Sequence, residues 1–233
     1  MHASVRTTTL RNGDRLTRQE FHRLYEQTPT GFRAELVGGM VYVASAVSRR
    51  HGTTHARVNA LLCAYVGHTP GLETGCNATI LLDEEGEPGP DAYLRILPEY
   101  GGQSGRSDDD YIESAPELIV EIAYSGRSID HHAKRHDYTR YGVLEYLVAN
   151  LGDEKVHWFD LRADKELSPS ADGVIRVRTF PGLWIEPRAF LAHDDQRLME
   201  VLAEGLATPA HADFAMALAA PNNQSAEADL TPP

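Results

Sequence analysis

The chain has 233 residues, room for one domain of ordinary size with a sizeable core or at most two small ones. Its formal net charge of −12 argues against a generic nucleic-acid binder, which meets phosphates with a basic patch. There is no run of about eighteen apolar residues, so no membrane span is expected, and the N-terminus has no apolar signal-peptide core, which leaves a cytoplasmic location as the default.

In chain order, Thr17-Arg-Gln-Glu20 reads as a capping box opening a helix with Phe21, Leu24 and Tyr25 on one face. Residues 33–44 read as a hairpin turning at Gly38-Gly39. His55 to Val66 has the pattern of an amphipathic helix with Val58, Leu61, Leu62 and Tyr65 inward. Thr74 to Leu82 and Asp91 to Leu97 are expected as strands, and the polar, Gly-rich stretch 98–115 as a loop. Strands at 117–124 and 144–150 flank a helix. A strand at 155–161 pairs with its predecessor across Gly152-Asp153, and another covers 175–180. A short strand at 182–186 leads into a helix near Pro187 to Leu191, and a further helix runs from Asp195 to Gly205. Residues 208–233 have no clear period and are expected to be disordered, so the division is one domain over 1–207 and a tail.

Chemistry concentrates in the middle of the chain. Pro90-Asp91 precedes one apolar run, and Glu117-Leu-Ile-Val-Glu121-Ile-Ala-Tyr124 forms the next. In an extended segment Ile119, Glu121 and Ala123 share one face, and Leu118, Val120 and Ile122 the other. Glu121 therefore sits inside a strand that reads as core, where a carboxylate is costly unless paired or bound to metal. The bland alternative is a Glu facing solvent or paired with an Arg. In the following helix, which Gly142 would end, Lys134, Tyr138 and Tyr141 share a face at i, i+4 and i+7. Its bland alternative is a lysine whose stem covers apolar surface. Two carboxylates and an ammonium converging on a sheet edge can hold a divalent ion and activate water for phosphodiester cleavage.

The order Pro-Asp, then Pro116-Glu117-Leu-Ile-Val-Glu121-Ile-Ala-Tyr-Ser, then Asp130-x-x-x-Lys134-x-x-x-Tyr138-x-x-x-Gly142-Val-x-Glu145-Tyr146 resembles the Uma2 family, also called DUF820. Upstream, Ala34-Glu35-Leu-Val-Gly-Gly39 is similar to that family's Glu-Leu-x-x-Gly hairpin, and Ser48-Arg-Arg-His51 to its Ser-x-x-His helix start. The resemblance covers roughly residues 10–195. It implies an α/β fold, a mixed α+β sheet with a restriction-endonuclease-like core, flanking helices and an N-terminal helix and hairpin. It also places the chain in the PD-(D/E)xK nuclease superfamily. By the resemblance Asp91 is the first acid and Glu121 the second. The superfamily's lysine two residues later is Ala123 here, and Lys134 on the following helix is the match. Glu35 matches a further acid that often completes such sites. Where the family commonly has Glu-Tyr-Trp, this chain has Glu145-Tyr146-Leu147.

The resemblance implies Mg²⁺ or Mn²⁺ bound by Asp91 and Glu121, with the carbonyl of Ile122 and waters. Lys134 would orient the attacking water or stabilise charge on the phosphate, and Glu35 would be a further ligand or a water-orienting group. The expected function is a metal-dependent endonuclease acting on nucleic acid, DNA favoured over RNA, with a homodimer as a further expectation. The competing reading, supported by the acidic net charge and by Ala123, is a non-catalytic interaction protein that keeps the fold. A weaker third reading is hydrolysis of a smaller phosphoester.

Other residues are less specific. Cys63 and Cys76 make no metal motif, and Cys63 is expected as a small buried hydrophobe. Among eleven histidines, His51 and His55 form one i, i+4 pair and His132 and His136 another, with no further ligands at zinc spacing. His51 could meet a substrate phosphate, though a histidine at a helix start is more often structural. The basic clusters Arg49-Arg50 with His51, and Lys134-Arg135 with His131, His132 and His136, could give a local positive field if the fold joins them.

Overall fold

Thr17 caps the first helix reciprocally: its side chain takes the Glu20 N–H, and the Glu20 carboxylate takes the Thr17 N–H. This α1 (Arg18–Tyr25) lays Phe21 and Leu24 on the hairpin β1 (Ala34–Val37) and β2 (Met40–Val43). Gly38 and Gly39 close the hairpin with φ of 55° and 72°, both left-handed, where a Cβ is penalised. The computed structural model describes residues 10–124 and 128–220, and of 128–132 the backbone only.

Next comes α2 (Arg49–Val66), which starts six residues before the apolar period does because Ser48 accepts the His51 N–H as an N-cap. Val58, Leu61, Leu62 and Tyr65 are its buried face, as the period predicts. Cys63 lies off that face and is exposed, contrary to its expected burial. The expected strand over 74–82 is two separate ones, β3 (Leu72–Gly75) and β4 (Ile80–Leu81). Asn77, at a left-handed φ of 53°, turns the chain between them. β5 (Ala92–Ile96) follows. The stretch expected as loop holds a 3-10 turn at Pro98–Tyr100 and two short strands, β6 (Gly105–Arg106) and β7 (Ile112–Glu113), too brief to show alternation.

β8 (Leu118–Ala123), α3 (Ser128–Tyr141) and β9 (Glu145–Asn150) form a βαβ unit, with β8 and β9 parallel and Gly142 at φ 90° just past the helix. Ser128 and Asp130, residue types that cap helices, have side chains outside the described residues. β10 (Lys155–Asp160) returns antiparallel to β9, and β11 (Lys165–Leu167), which the sequence pattern did not suggest, pairs with β10. The expected strand at 175–180 shrinks to β12 (Ile175–Arg176), paired with β13 (Trp184–Ile185). α4 (Pro187–Ala192), α5 (Asp195–Leu206) and α6 (Pro209–Ala219) complete the described residues.

α6 corrects the expectation of disorder from residue 208. Thr208 caps it through the His211 N–H, Pro209 suits its first turn, and its alanines favour helix. Its apolar and polar residues are not segregated, which hid it from a periodicity reading. It docks through Leu218 and through His211, whose Nε2 lies 3.0 Å from Thr69 Oγ1. Residues 221–233, also expected to be disordered, lie outside the described residues.

The main sheet has the order β11-β10-β9-β8-β5-β3. Leu118, Val120 and Ile122 of β8 face a core shared with α2, α4, α5 and α6. Ile119 faces the opposite core, with Tyr138 of α3, Tyr146 of β9, and the small sheet β4-β7-β6. Both faces of β8 are therefore covered. No helix among the described residues is long and apolar enough to cross a membrane.

Candidate active site

Glu121 belongs to the Ile119 face of β8, beneath α3. Asp91 lies one residue before β5, and the ladder pair Ala92–Val120 sets it beside Glu121 and Ile122. Its Oδ2 accepts the Ile122 N–H at 2.7 Å. From the first turn of α2, His51 Nε2 approaches Asp91 Oδ1 at 3.3 Å. One turn on, His55 Nε2 is 2.6 Å from the Asp91 carbonyl oxygen. The i, i+4 spacing of the two histidines, with rings 6.1 Å apart, lets one helix face hold Asp91 at both its side chain and its backbone.

Lys134 projects from α3 between two acids. Its Nζ is 2.7 Å from Glu35 Oε1, on the hairpin, and 3.0 Å from Glu121 Oε1, on the sheet. Tyr138, one turn along α3, donates its hydroxyl to the same Glu121 oxygen at 2.9 Å. Glu35 Oε2 also accepts the Gly89 N–H at 3.4 Å, which links the hairpin to the segment before Asp91. The side chains of Asp91, Glu121, Lys134, Glu35 and His51 are each 12–19 % exposed, enough to be reached from the cavity of about 550 Å³ that they border.

Three carboxylates around one ammonium leave an excess of negative charge. Burial pushes the Glu121 carboxyl up to about 7; Lys134 opposes the shift, and Glu35 and Asp91 add to it. Burial alone would lower the Lys134 ammonium, but Glu121 and Glu35 outweigh it and hold the group well above its ordinary value. The asymmetry is physical: the lysine has two acids to itself, whereas Glu121 shares one lysine and faces two other carboxylates. Asp91 is held below the usual carboxylate range, its burial outweighed by His51 and the Ile122 N–H. The Asp91 carboxylate in turn raises His51.

Tyr146 borders the same cavity from β9. Its ring meets that of Tyr138 edge-on at 5.2 Å, and its buried hydroxyl has no hydrogen-bond partner among the described residues. Its neighbour Glu145 has a structural task, accepting the Trp158 Nε1–H at 2.6 Å and the Thr179 N–H at 3.0 Å.

All four sequence-selected side chains, Asp91, Glu121, Lys134 and Glu35, thus meet in one place. Ile122 is there too, but the contact the structure gives is from its N–H, not its carbonyl. Sequence reasoning leaned towards a structural His51 and passed over His55, Tyr138 and Tyr146 as site residues. The histidine pair spacing and the Lys134–Tyr138 helix face were the available signals. Of the two basic clusters, His51 and Lys134 reach the site, while their described arginine neighbours Arg50 and Arg135 are engaged elsewhere. Arg50 pairs with Glu154 at 2.8 Å, and Arg135 pairs with Asp164 at 2.5 Å while lying over Phe159. His136 is exposed, and the side chains of His131 and His132 lie outside the described residues.

The carboxylate oxygens of Asp91 and Glu121 are donors that suit a hard cation. Among the described residues no three His, Cys, Asp or Glu groups close into a ready-made metal site. Mg²⁺ asks for less, commonly one or two carboxylates with retained waters, and Asp91 and Glu121 fit that demand.

Residues 18–189 match the Uma2 family, described as "Putative restriction endonuclease". The fold is similar to the crystal structure of a putative nuclease belonging to DUF820 from Anabaena variabilis. The TM-score is 0.57 at 13 % identity, covering 80 % of this chain and 99 % of that one. No curated protein matches the chain.

Proposed function

The chain belongs to the Uma2 family, and from that premise we propose that it is a metal-dependent endonuclease hydrolysing phosphodiester bonds, with DNA the favoured substrate. The observation that carries the reading is Lys134 bridging Glu35 and Glu121 beside the tethered Asp91, four residues distant in sequence at the base of one cavity. Asp91 and Glu121 would hold Mg²⁺ or Mn²⁺, with the Ile122 carbonyl as a further oxygen donor. When bound, the ion supplies Lewis-acid polarisation of the phosphate and lowers the pKa of water. Of the three N–H donors of Lys134, two serve Glu35 and Glu121, and the third is left for a phosphate oxygen or the attacking water. Glu35 keeps the ammonium charged and aimed. Tyr138 fixes the Glu121 rotamer from behind, and His51 and His55 fix Asp91.

Calorimetric titration with Mg²⁺ and Mn²⁺, run beside nicking of a supercoiled plasmid, tests this on the wild type, Asp91→Ala and Glu121→Ala. Metal binding and nicking are expected in the wild type and absent from both folded variants. The net charge of −12 favours a second reading, an interaction protein that retains the fold without catalysis. Absence of metal binding at millimolar concentration would put that reading first.

A further inference from the structure

Among the described residues three large apolar side chains are exposed, Val47 at 63 %, Tyr124 at 60 % and Met216 at 64 %. Scattered singly, such residues need no explanation. Two of these three, Val47 and Tyr124, border the same cavity as the Asp91, Glu121 and Lys134 cluster. Tyr124 lies three residues beyond Glu121 at the end of β8, roughly 10 Å along an extended chain. Val47 belongs to the uncharged segment Ala44-Ser45-Ala46-Val47-Ser48, exposed throughout and forming one wall.

Among the described residues the charges lining this cavity are wrong for a duplex. Tracking two phosphate backbones takes several lysines and arginines. Beyond Lys134 at the base, the wall residue that offers a permanent cation is Arg33, already bonded to Asn77 Oδ1. An unpaired strand has one phosphate backbone to meet instead of two, and it gains a further share of its affinity by stacking a base on an exposed aromatic ring. A cavity of about 550 Å³ takes a group the size of a nucleotide.

We propose that the site takes an unpaired nucleotide of single-stranded or frayed nucleic acid, its base stacked on Tyr124 beside Val47 and its phosphodiester directed towards Asp91, Glu121 and Lys134. The direction of the phosphodiester rests on the nuclease reading; the stacking does not.

Fluorescence anisotropy in EDTA, where no cleavage intervenes, tests it with a short labelled DNA single strand and the matching duplex. The wild type is expected to bind the single strand more tightly than the duplex. Tyr124→Ala should weaken single-strand binding about tenfold, the effect of losing one stacked base, and Tyr124→Phe should retain it. Because Tyr124 is exposed, neither variant endangers the fold. The proposal is overturned by a duplex preference, by no single-strand binding, by Tyr124→Ala binding like the wild type, or by Tyr124→Phe binding as weakly as Tyr124→Ala. Binding without metal-dependent cleavage would defeat the nuclease reading alone, and cleavage with a duplex preference would defeat this one alone.

Discussion

Tyr138 and Tyr146 meet edge to face beside the cavity with opposite hydrogen-bonding fates. The Tyr138 hydroxyl satisfies a buried carboxylate, whereas the buried Tyr146 hydroxyl has no partner among the described residues. Removing a donor from a buried acceptor exposes the acceptor's desolvation cost, while removing an unpartnered hydroxyl relieves one. Tyr138→Phe is therefore expected to destabilise the protein by about 1–3 kcal/mol in denaturant melts. Tyr146→Phe should leave stability unchanged or raise it by about 1 kcal/mol. A loss in the second variant equal to the first would mean that the Tyr146 hydroxyl bonds to something in solution. A natural sequence retains such a liability most readily where function uses it.

At the scale of elements, the site is assembled by parts that share no local sequence. The hairpin brings Glu35, the start of α2 brings His51, the strand pair β5 and β8 brings Asp91 and Glu121, and α3 brings Lys134. The last described helix, α6, works at a distance, covering the Tyr65 and Phe180 side of the core. His211 packs 5.8 Å from the Tyr65 ring, and Phe214 lies 6.4 Å from Phe180. Ending the chain after Thr208 should lower stability by on the order of 3 kcal/mol through lost apolar burial. A thermal melt checks this. An unchanged midpoint would show that α6 is not docked in solution.

For the whole molecule, pH dependence is the collective signature. Burial raises the Glu121 carboxyl to about 7, and also raises Glu87, Glu117 and Glu145 above 4.5. A raised native value means the folded protein holds protons that the unfolded chain has released. The stability so gained is full below about 4.5 and is lost as pH rises through the native values. His51, raised above 6.5 by Asp91, adds a loss in the same direction at higher pH. Asp91 and Glu73, both lowered, act oppositely and lose their contribution as the solution becomes more acidic than their unfolded values of 3.8 and 4.5. Self-repulsion from the net charge of −12 also grows above the pI of about 5.3. The thermal midpoint is expected to peak near pH 5 and fall towards pH 8, about 2–4 °C for each kcal/mol lost. Glu121→Gln should flatten the fall; a midpoint rising steadily to pH 8 would contradict the sign.

The sequence by itself determined the local geometry. A capping box, a Gly-Gly turn, β-branched alternation and helical spacing are short-range constraints, and each left a readable pattern at α1, the hairpin, β8 and α3. Glu121 and Lys134 were legible because an acid and a lysine at core-facing positions violate that pattern; Asp91, at the start of an apolar run, is an ordinary turn residue by itself and was assigned its role by the resemblance. Glu35 was found by resemblance alone, since an acid on a hairpin is ordinary until another element meets it. Only the tertiary structure decided that Lys134 joins Glu35 to Glu121, that His51 and His55 hold Asp91 at its side chain and its backbone, and that Tyr146 has no hydroxyl partner among the described residues. It also decided that α6 folds, although its apolar residues show no stripe, and that Cys63 faces solvent. These outcomes depend on which surfaces meet across long sequence separations. Packing and pairing of that kind leave no period along the chain, because their energy is shared between segments that the sequence does not place side by side.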